Sequence, residues 1–145
     1  MDRIVQRLRE LTSALEEGKK KCEEVAGTIP DPHIRKSILG LEKQSIEYAL
    51  ELSQEIQTRG GSLPSVPERI AAPESRFGKQ ARNIEKEVIK ICRKIEGSII
   101  KLYGRMLTDP ILNESLRLMI RAQMNGIMRS TLQLKLLSKL LYTSW

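Results

Sequence analysis

The chain has 145 residues, of which 40% are hydrophobic and 30% are charged, and this length and composition suit one compact domain. Aromatic residues make up only 3%, and the presence of one histidine, His33, excludes most enzyme classes that depend on histidine chemistry. The net charge of +7 is uneven, since residues 76–145 hold 14 Lys and Arg against 5 Asp and Glu, whereas residues 1–75 hold 11 against 13.

Neither a membrane span nor a secretion signal is predicted. No apolar run approaches the roughly 20 residues that a bilayer requires, and the N-terminal MDRIVQRLRE lacks the apolar core of a signal peptide. Two cysteines, Cys22 and Cys92, are too few for a disulfide framework. We therefore expect a cytoplasmic protein whose cysteines pack as small hydrophobic residues, with a redox pair as the alternative.

The first half of the chain predicts two helices, because its apolar residues recur three and four positions apart. Gly27 suits the end of the first helix, and Asp31 followed by Pro32 suits the start of the second. The pattern stops at Gly60 and Gly61. The short connection between the helices predicts an antiparallel hairpin over residues 1–59. The apolar positions are Ile4, Leu8, Leu11, Leu15, Cys22 and Val25, then Ile34, Ile38, Leu41, Tyr48 and Leu52.

The second half predicts a linker and another hairpin. Residues 60–77 contain three prolines and no usable period, which indicates a linker. Residues 78–145 carry two further apolar rows, separated by a second Asp-Pro start signal at Asp109 and Pro110. These rows consist of Ala81, Ile84, Val88, Ile91, Ile95, Ile99, Leu102 and Met106, then Leu112, Leu116, Met119, Gln123, Ile127, Leu134, Leu137 and Leu141.

The lengths of the connections predict the topology. A linker of this length extends about 60 Å at ~3.3 Å per residue, which is enough to cross the length of the bundle. Helices 2 and 3 are then expected to run in the same direction. The sequence thus predicts one all-α domain over residues 1–145, a ferritin-like four-helix bundle of two antiparallel hairpins joined by a long crossover between helices 2 and 3.

Two segments also carry a family resemblance. The first hairpin holds an acid-glycine pair in helix 1 and Gly-Gly after helix 2, within EEGKKKCEEVAGTIPDPHIRKSILGLEKQSIEYALELSQEIQTRGG, and the second holds IEGSIIKLYGRML. On these segments the chain resembles the ferritin-like superfamily and, within it, the bacterial domain of unknown function 2383 family. The resemblance covers nearly the whole chain from about residue 8. It implies the ferritin-like fold and brings no established activity with it.

Ferritin-like di-iron sites take one Glu from each of two helices and a Glu-x-x-His from each of the other two. Counted from the two predicted turns, Glu17 stands level with Glu42, and Glu96 stands level with Gln123. These four residues mark the height in the bundle at which such a site would lie.

Both histidine positions of that pattern hold other residues. Ser45 follows Glu42 by three positions, and Gly126 follows Gln123 by three, and neither side chain is a ligand for iron. We therefore expect no di-iron centre and no cofactor. The alternative is a divergent metal site formed by Glu17, Glu42 and Glu96.

A polar network is predicted in place of a metal centre. Gln123 lies on the apolar row of helix 4, and Glu96 stands at the same height, so we expect the two side chains to meet. Tyr48 and Tyr103 lie on or beside apolar rows, and one of them is expected nearby as a hydrogen-bond partner. The alternative is that Glu96 turns outward and pairs with a surface lysine.

The function predicted from the sequence is that of a non-enzymatic structural or protein-interaction bundle, with self-association or a protein partner. Gly97 and Gly104 share a helix face and permit either close helix contact within the bundle or a seam between copies. One alternative function is an iron-handling or oxidase bundle. Another is the binding of nucleic acid or anionic lipid through the basic residues 76–145. The amphipathic tail LQLKLLSKLLYTSW is expected to complete the core, with the alternative that its exposed part meets another subunit or a membrane surface.

Overall fold

The computed structural model describes residues 3–61 and 84–142, and within these ranges the chain is all-helical. Four helices are present. The third contains a π-helical turn between two α-helical segments that follow one another without a break. The bounds are α1 Arg3–Ala26, α2 Pro32–Thr58, α3 Ile84–Ile95 with the π-helical turn Glu96–Ile100 and the segment Lys101–Leu107, and α4 Glu114–Tyr142.

The ends of α2 match the local signals in the sequence. Asp31 is the N-cap, and its Oδ1 accepts hydrogen bonds from the backbone N–H groups of His33 and Ile34, both at 2.9 Å. Pro32 occupies the first turn, where its missing N–H costs nothing. After the helix, Gly60 adopts a φ of 80°, a left-handed conformation that glycine reaches without strain. Both predicted ends of this helix are confirmed.

The start of α4 is not the predicted one. Asp109 and Pro110 form part of the turn, whereas Asn113 caps the helix by accepting a 2.8 Å hydrogen bond from the Leu116 N–H. Asp109 instead accepts a 3.0 Å hydrogen bond from the Ile111 N–H inside the turn. An Asp-Pro pair is compatible with a turn as well as with a helix start. The Asp109 carboxylate is engaged by Arg3 and by the Ile111 N–H, so Asn113 serves as the cap.

The π-helical turn in α3 changes which residues enter the core. Each of its hydrogen bonds spans one residue more than in an α-helix, so the positions after it are rotated relative to an uninterrupted helix. Tyr103 is fully buried, whereas Leu102, which the apolar row placed in the core, is only half-buried. Ile95 and Ile99, before and within the turn, are buried as the row predicts.

Helices α1 and α2 form an antiparallel hairpin. They pack along each other, and the chain from Gly27 to Asp31 connects them at one end. At the other end Gly61, just beyond α2, lies against the side chain of Val5 near the start of α1. The first hairpin is therefore closed at both ends by contacts within the described residues.

Helices α1 and α3 also run in opposite directions. The Arg3 guanidinium binds Asp109 just beyond the end of α3, and Gly18 further along α1 faces Ile99 in the π-helical turn. Since α1 is antiparallel to both α2 and α3, these two helices run in the same direction. The predicted linker, apart from Gly60 and Gly61, and the predicted first residues of helix 3 lie outside the described residues.

Helix α4 completes the bundle by packing against both α2 and α3. Its contacts with α2 pair Gln123 with Glu51 and Ser130 with Gln44, so α2 and α4 are antiparallel. Apolar side chains from all four helices meet in one cluster that includes Leu8, Leu41, Val88 and Leu134. This arrangement places the α2–α4 seam opposite the α1–α3 seam.

Close helix approach occurs at glycines other than Gly97 and Gly104. A Cβ at either of these two positions would meet no atom within 4 Å, so neither supports a helix contact within the described chain, and that interpretation of the pair is corrected. A Cβ at Gly18 would instead lie 2.9 Å from Ile99 Cδ1. A larger residue at position 18 would require the Ile99 side chain to shift where α1 passes the π-helical turn.

Candidate functional site

A buried hydrogen bond joins α3 to α4 at the level predicted for the polar network. The Tyr103 hydroxyl donates to Gln123 Oε1 at 2.9 Å, and both residues are almost completely buried. Burial raises the pKa of Tyr103, and the nearby Tyr48 and Glu51 raise it further, so the phenol remains a protonated donor. The pair satisfies two polar groups that the core would otherwise leave without partners.

The same glutamine reaches across to α2. Its Nε2 donates to Glu51 Oε1 at 2.7 Å and to the backbone oxygen of Tyr48 at 3.4 Å. Next along the seam, Ser130 Oγ donates to Gln44 Oε1 at 2.8 Å, and Gln44 Nε2 donates to the Tyr48 hydroxyl at 3.3 Å. We call these six residues the α2–α4 seam network, which consists of Gln44, Tyr48, Glu51, Tyr103, Gln123 and Ser130. It connects three helices and ends at the exposed Glu51.

Three members of this network were not anticipated from the sequence, namely Gln44, Glu51 and Ser130. A usable signal was present, because Gln44, Tyr48 and Glu51 lie four and three residues apart and therefore share one side of α2. That side borders the apolar row. Polar residues in such a flanking row are the ones that reach a neighbouring helix.

Gly126 leaves room for Tyr48 in the seam. A Cβ at Gly126 would overlap the Tyr48 hydroxyl oxygen and would lie 3.1 Å from Gln44 Nε2 and from Tyr48 Cζ. The position that a histidine would occupy in a di-iron pattern is thus filled by the tyrosine of a neighbouring helix. The glycine has a packing reason that does not involve a ligand.

Glu96 does not contact Gln123, and that prediction is corrected. Its Oε2 accepts a 2.5 Å hydrogen bond from Lys135 Nζ on α4, and the side chains of Glu96 and Lys135 are 39% and 35% exposed. The pairing is the outward alternative considered for this residue. Glu96 is the first residue of the π-helical turn and lies at the edge of the α3–α4 seam. A partly exposed position there avoids the free-energy cost of burying a carboxylate.

The structure does not bring the predicted metal ligands together. Glu17 is exposed on α1, whereas Glu42 is half-buried beside Glu23 and Lys19. Partial burial raises the pKa of Glu42, the charge of Glu23 raises it further, and Lys19 opposes them. With Glu96 held by Lys135, the three glutamates lie in separate surroundings. Among the described residues no group of three or more His, Cys, Asp or Glu side chains is placed to hold a metal ion.

Ser45 and His33 also take positions away from any shared site. Ser45 is buried, and its hydroxyl donates to the Leu41 carbonyl of its own helix at 3.0 Å. His33 is exposed in the first turn of α2, at the mouth of an open groove between α2 and α4. Within the described ranges, no hydrogen bond or ion pair joins either side chain to a carboxylate that could orient it as a base or nucleophile.

Cys22 and Cys92 are free thiols buried in the core. Burial raises the pKa of Cys22 to about 12, with a smaller contribution from Glu42, and raises that of Cys92 to about 11 although the charge of Lys135 opposes it. The Cys92 thiol donates weakly to the Thr131 carbonyl at 3.6 Å. Thiols held in this way remain protonated at neutral pH, and protonated thiols are poor nucleophiles.

A cluster around Asp109 ties the start of α1 to the α3–α4 turn. Arg3 contacts both carboxylate oxygens, at 3.0 and 2.8 Å, and Arg7 approaches within 3.8 Å. The hydrogen bond from Arg3 lowers the pKa of Asp109, and the Ile111 N–H and the charge of Arg7 lower it further. Arg117 donates to the Leu107 carbonyl at 2.6 Å, which places a cation at the end of α3.

The outer surface of α4 is unlike that of a solvated helix. Four leucines on it are more than half exposed, and they alternate with exposed Arg and Lys. We call this surface the α4 outer face. It consists of Leu118, Arg121, Arg129, Leu132, Leu136, Lys139 and Leu140. No described residue forms an ion pair with its three cations, and α4 contains a single acidic residue, Glu114.

The outer surface of α3 is also basic. Six exposed cations follow one side of the helix, three or four residues apart for the most part, and we call them the α3 basic stripe. These residues are Lys86, Lys90, Arg93, Lys94, Lys101 and Arg105. The positive half noted in the sequence therefore takes the form of two basic helix surfaces.

None of the described helices combines the length and the apolar composition that a membrane span requires. No protein-family model matches the chain, and neither a curated protein nor a solved structure matches it.

Proposed function

We propose that this chain is a non-enzymatic binding protein built on a ferritin-like four-helix bundle, acting in the cytoplasm and using the α4 outer face to hold its partner. The ferritin-like arrangement draws support from the shared direction of α2 and α3. The contacts of Arg3 with Asp109 and of Gly18 with Ile99 carry that direction.

One observation carries the binding function, namely the four exposed leucines of the α4 outer face. Their side chains are 52% to 76% exposed although the same helix buries a second apolar row in the core. Each leucine left in water forgoes up to about 2 kcal/mol of burial free energy. A helix surface that exposes several leucines together is typical of a contact face.

The interior supports a structural rather than a catalytic role. The α2–α4 seam network is occupied by internal hydrogen bonds that brace three helices, and its buried Tyr103 stays protonated. General acid–base work needs a group whose pKa lies near the operating pH. Burial moves the pKa of Tyr103 further above that range.

Photo-crosslinking in living cells tests whether the α4 outer face is covered. A diazirine-bearing amino acid is placed at position 136 and, as the matched control, at position 17, since Leu136 and Glu17 are both exposed helix residues. We expect adducts from position 136 and none from position 17. Equal adducts from both positions, or none from position 136, would contradict the proposal. The adduct's composition distinguishes a second copy, another protein and lipid.

Metal analysis tests the non-enzymatic part of the proposal. Protein purified without a chelator is expected to contain no stoichiometric iron or manganese, because Glu17, Glu42 and Glu96 have separate surroundings. About two metal atoms per chain, as in a di-iron carboxylate site, that disappear in Glu42→Ala and Glu96→Ala variants would overturn it. The variants matter because adventitious metal would survive both substitutions.

A further inference from the structure

The α4 outer face lies on the side of the helix away from the core. Leu118 and Leu136 are separated by about five full turns, and Leu132 and Leu140 lie one turn on either side of Leu136. Leu134, which lies between them in sequence, is fully buried and marks the opposite side of the helix. The leucines therefore form a convex ridge along a straight helix rather than the wall of a groove.

Positive charge lies within this ridge as well as beside it. Arg129 falls on the same line as Leu118 and Leu136, and Arg121 and Lys139 lie along one flank. The acidic residue of α4 itself is Glu114, at the start of the helix. On α3, Glu96 is already paired with Lys135 of α4. A partner of this face must therefore offer negative charge to the arginines and the lysine and, directly beside it, an apolar surface to the leucines.

This distribution of charge argues against a second copy bound face to face. Two α4 outer faces packed together would bring six cations into one interface, with only the Glu114 of each copy to offset them. The exposed Leu50 of α2 has Glu47 and Glu51 close by, whereas the leucines of the α4 outer face lie among three cations with Glu114 as the single acidic residue of their helix. Charge complementarity thus requires an anionic partner.

A lipid surface fits this ridge better than an acidic protein does. In a dry protein interface Arg129 would require a carboxylate at one fixed place, since an unpaired buried charge is costly. At a membrane surface its long side chain reaches mobile phosphates while the neighbouring leucines enter the acyl boundary. A helix of 29 residues, about 43 Å long, presents such a ridge along a plane.

We propose that the α4 outer face docks on an anionic phospholipid surface, with its leucines inserted below the headgroups and its arginines and lysine on the phosphates. The inference rests on the proposed binding function and names the partner of that same face. The α3 basic stripe adds long-range attraction toward the same charged surface.

Flotation with lipid vesicles tests the proposal on the full chain. Vesicles of an equimolar mixture of phosphatidylglycerol and phosphatidylcholine are compared with vesicles of phosphatidylcholine alone. We expect the protein to float with the mixed vesicles and to stay behind with phosphatidylcholine. Added salt should weaken the binding, because it screens the charge attraction.

Substitutions on the ridge locate the contact. Leu132→Gln and Leu136→Gln are each expected to lower vesicle partitioning about tenfold. Arg129→Gln is expected to lower it about fivefold, the equivalent of one lost basic residue at an anionic surface. All three side chains are exposed, and far-ultraviolet circular dichroism is expected to show unchanged helix content.

Matched variants on α2 serve as controls. Leu50→Gln removes a leucine that is 59% exposed, and Lys43→Gln removes an exposed cation, so both make the same chemical changes on another surface. We expect both controls to bind mixed vesicles as the unchanged protein does. Equal losses from α2 and α4 variants would overturn the assignment of the face.

Failure of this inference can be told apart from failure of the proposed function. If the chain ignores mixed vesicles, or binds both vesicle types equally, the lipid surface is refuted. A protein adduct at position 136 in cells would then leave the binding function standing with a different partner. If position 136 also forms no adduct, both proposals fall.

Discussion

Gly126→Ala is the substitution for which the structure makes the sharpest prediction. The new methyl group would overlap the hydroxyl oxygen of Tyr48 and would lie 3.1 Å from both Tyr48 Cζ and Gln44 Nε2. The tyrosine is half-buried in the α2–α4 seam and cannot move aside without giving up its packing there. A substitution that usually stabilises a helix is therefore expected to destabilise this one.

The magnitude follows from two opposing effects. Replacing a glycine by alanine inside a helix gains about 1 kcal/mol, because the unfolded chain loses freedom. Overpacking a formed interface costs about 1–3 kcal/mol. We expect Gly126→Ala to lower the free energy of unfolding by about 1 kcal/mol. Gly40→Ala is the matched control, since a Cβ there meets no atom within 4 Å, and it should stabilise by about 1 kcal/mol.

Urea denaturation followed by circular dichroism measures both variants, with an expected difference of about 2 kcal/mol between them. Adding Tyr48→Phe to Gly126→Ala removes the overlapping oxygen and should recover most of the loss. A Gly126→Ala protein as stable as Gly40→Ala would refute the packing argument. So would a double variant no more stable than Gly126→Ala itself, since the tyrosine hydroxyl would then not be the obstacle.

Three further predictions follow from buried polar groups. Cys22 and Cys92, with pKa values raised to about 12 and 11, should react with a maleimide far more slowly in the native protein at neutral pH than in denaturant. Tyr103→Phe should lower the free energy of unfolding by about 1–2 kcal/mol, measured by urea denaturation, because it leaves the Gln123 oxygen without its buried donor. Since the pKa of Asp109 is lowered in the folded state, its contribution to stability is present above the unfolded value of about 3.9 and is lost as the pH falls through the folded value. Lowering the pH should therefore reduce the melting temperature of the unchanged protein more than that of the Asp109→Asn variant, as measured by thermal scans at several pH values.

Each of these predictions has a control or an opposing outcome. Native labelling of the cysteines at the unfolded rate would mean that the core is open. Tyr48→Phe is the counterpart of Tyr103→Phe, because its hydroxyl makes only a 3.3 Å contact with Gln44, and equal losses would contradict the buried pair. For Asp109 the control is Glu17→Gln, a substitution at an exposed position, which should not change how the melting temperature falls at acid pH.

The sequence by itself determined the elements that depend on neighbours along the chain. The four helices follow from apolar residues spaced three and four apart, and α2 begins and ends where Asp31, Pro32 and Gly60 predict. These signals work because a cap or a turn is decided within a few residues. The Asp109–Pro110 signal failed because the Asp109 carboxylate binds the distant Arg3 and the Ile111 N–H of the turn, which leaves the cap to Asn113.

Only the tertiary structure decided which polar side chains meet. Tyr103 rather than Leu102 enters the core beyond the π-helical turn, which the spacing of the apolar residues did not predict. Its rotation directs the Tyr103 hydroxyl to Gln123, while Glu96, at the opening of the turn, finds Lys135 at the surface. A periodic pattern sets a helix face to within a residue or so, whereas a hydrogen bond between helices depends on the rotation of both partners, and only packing fixes that rotation.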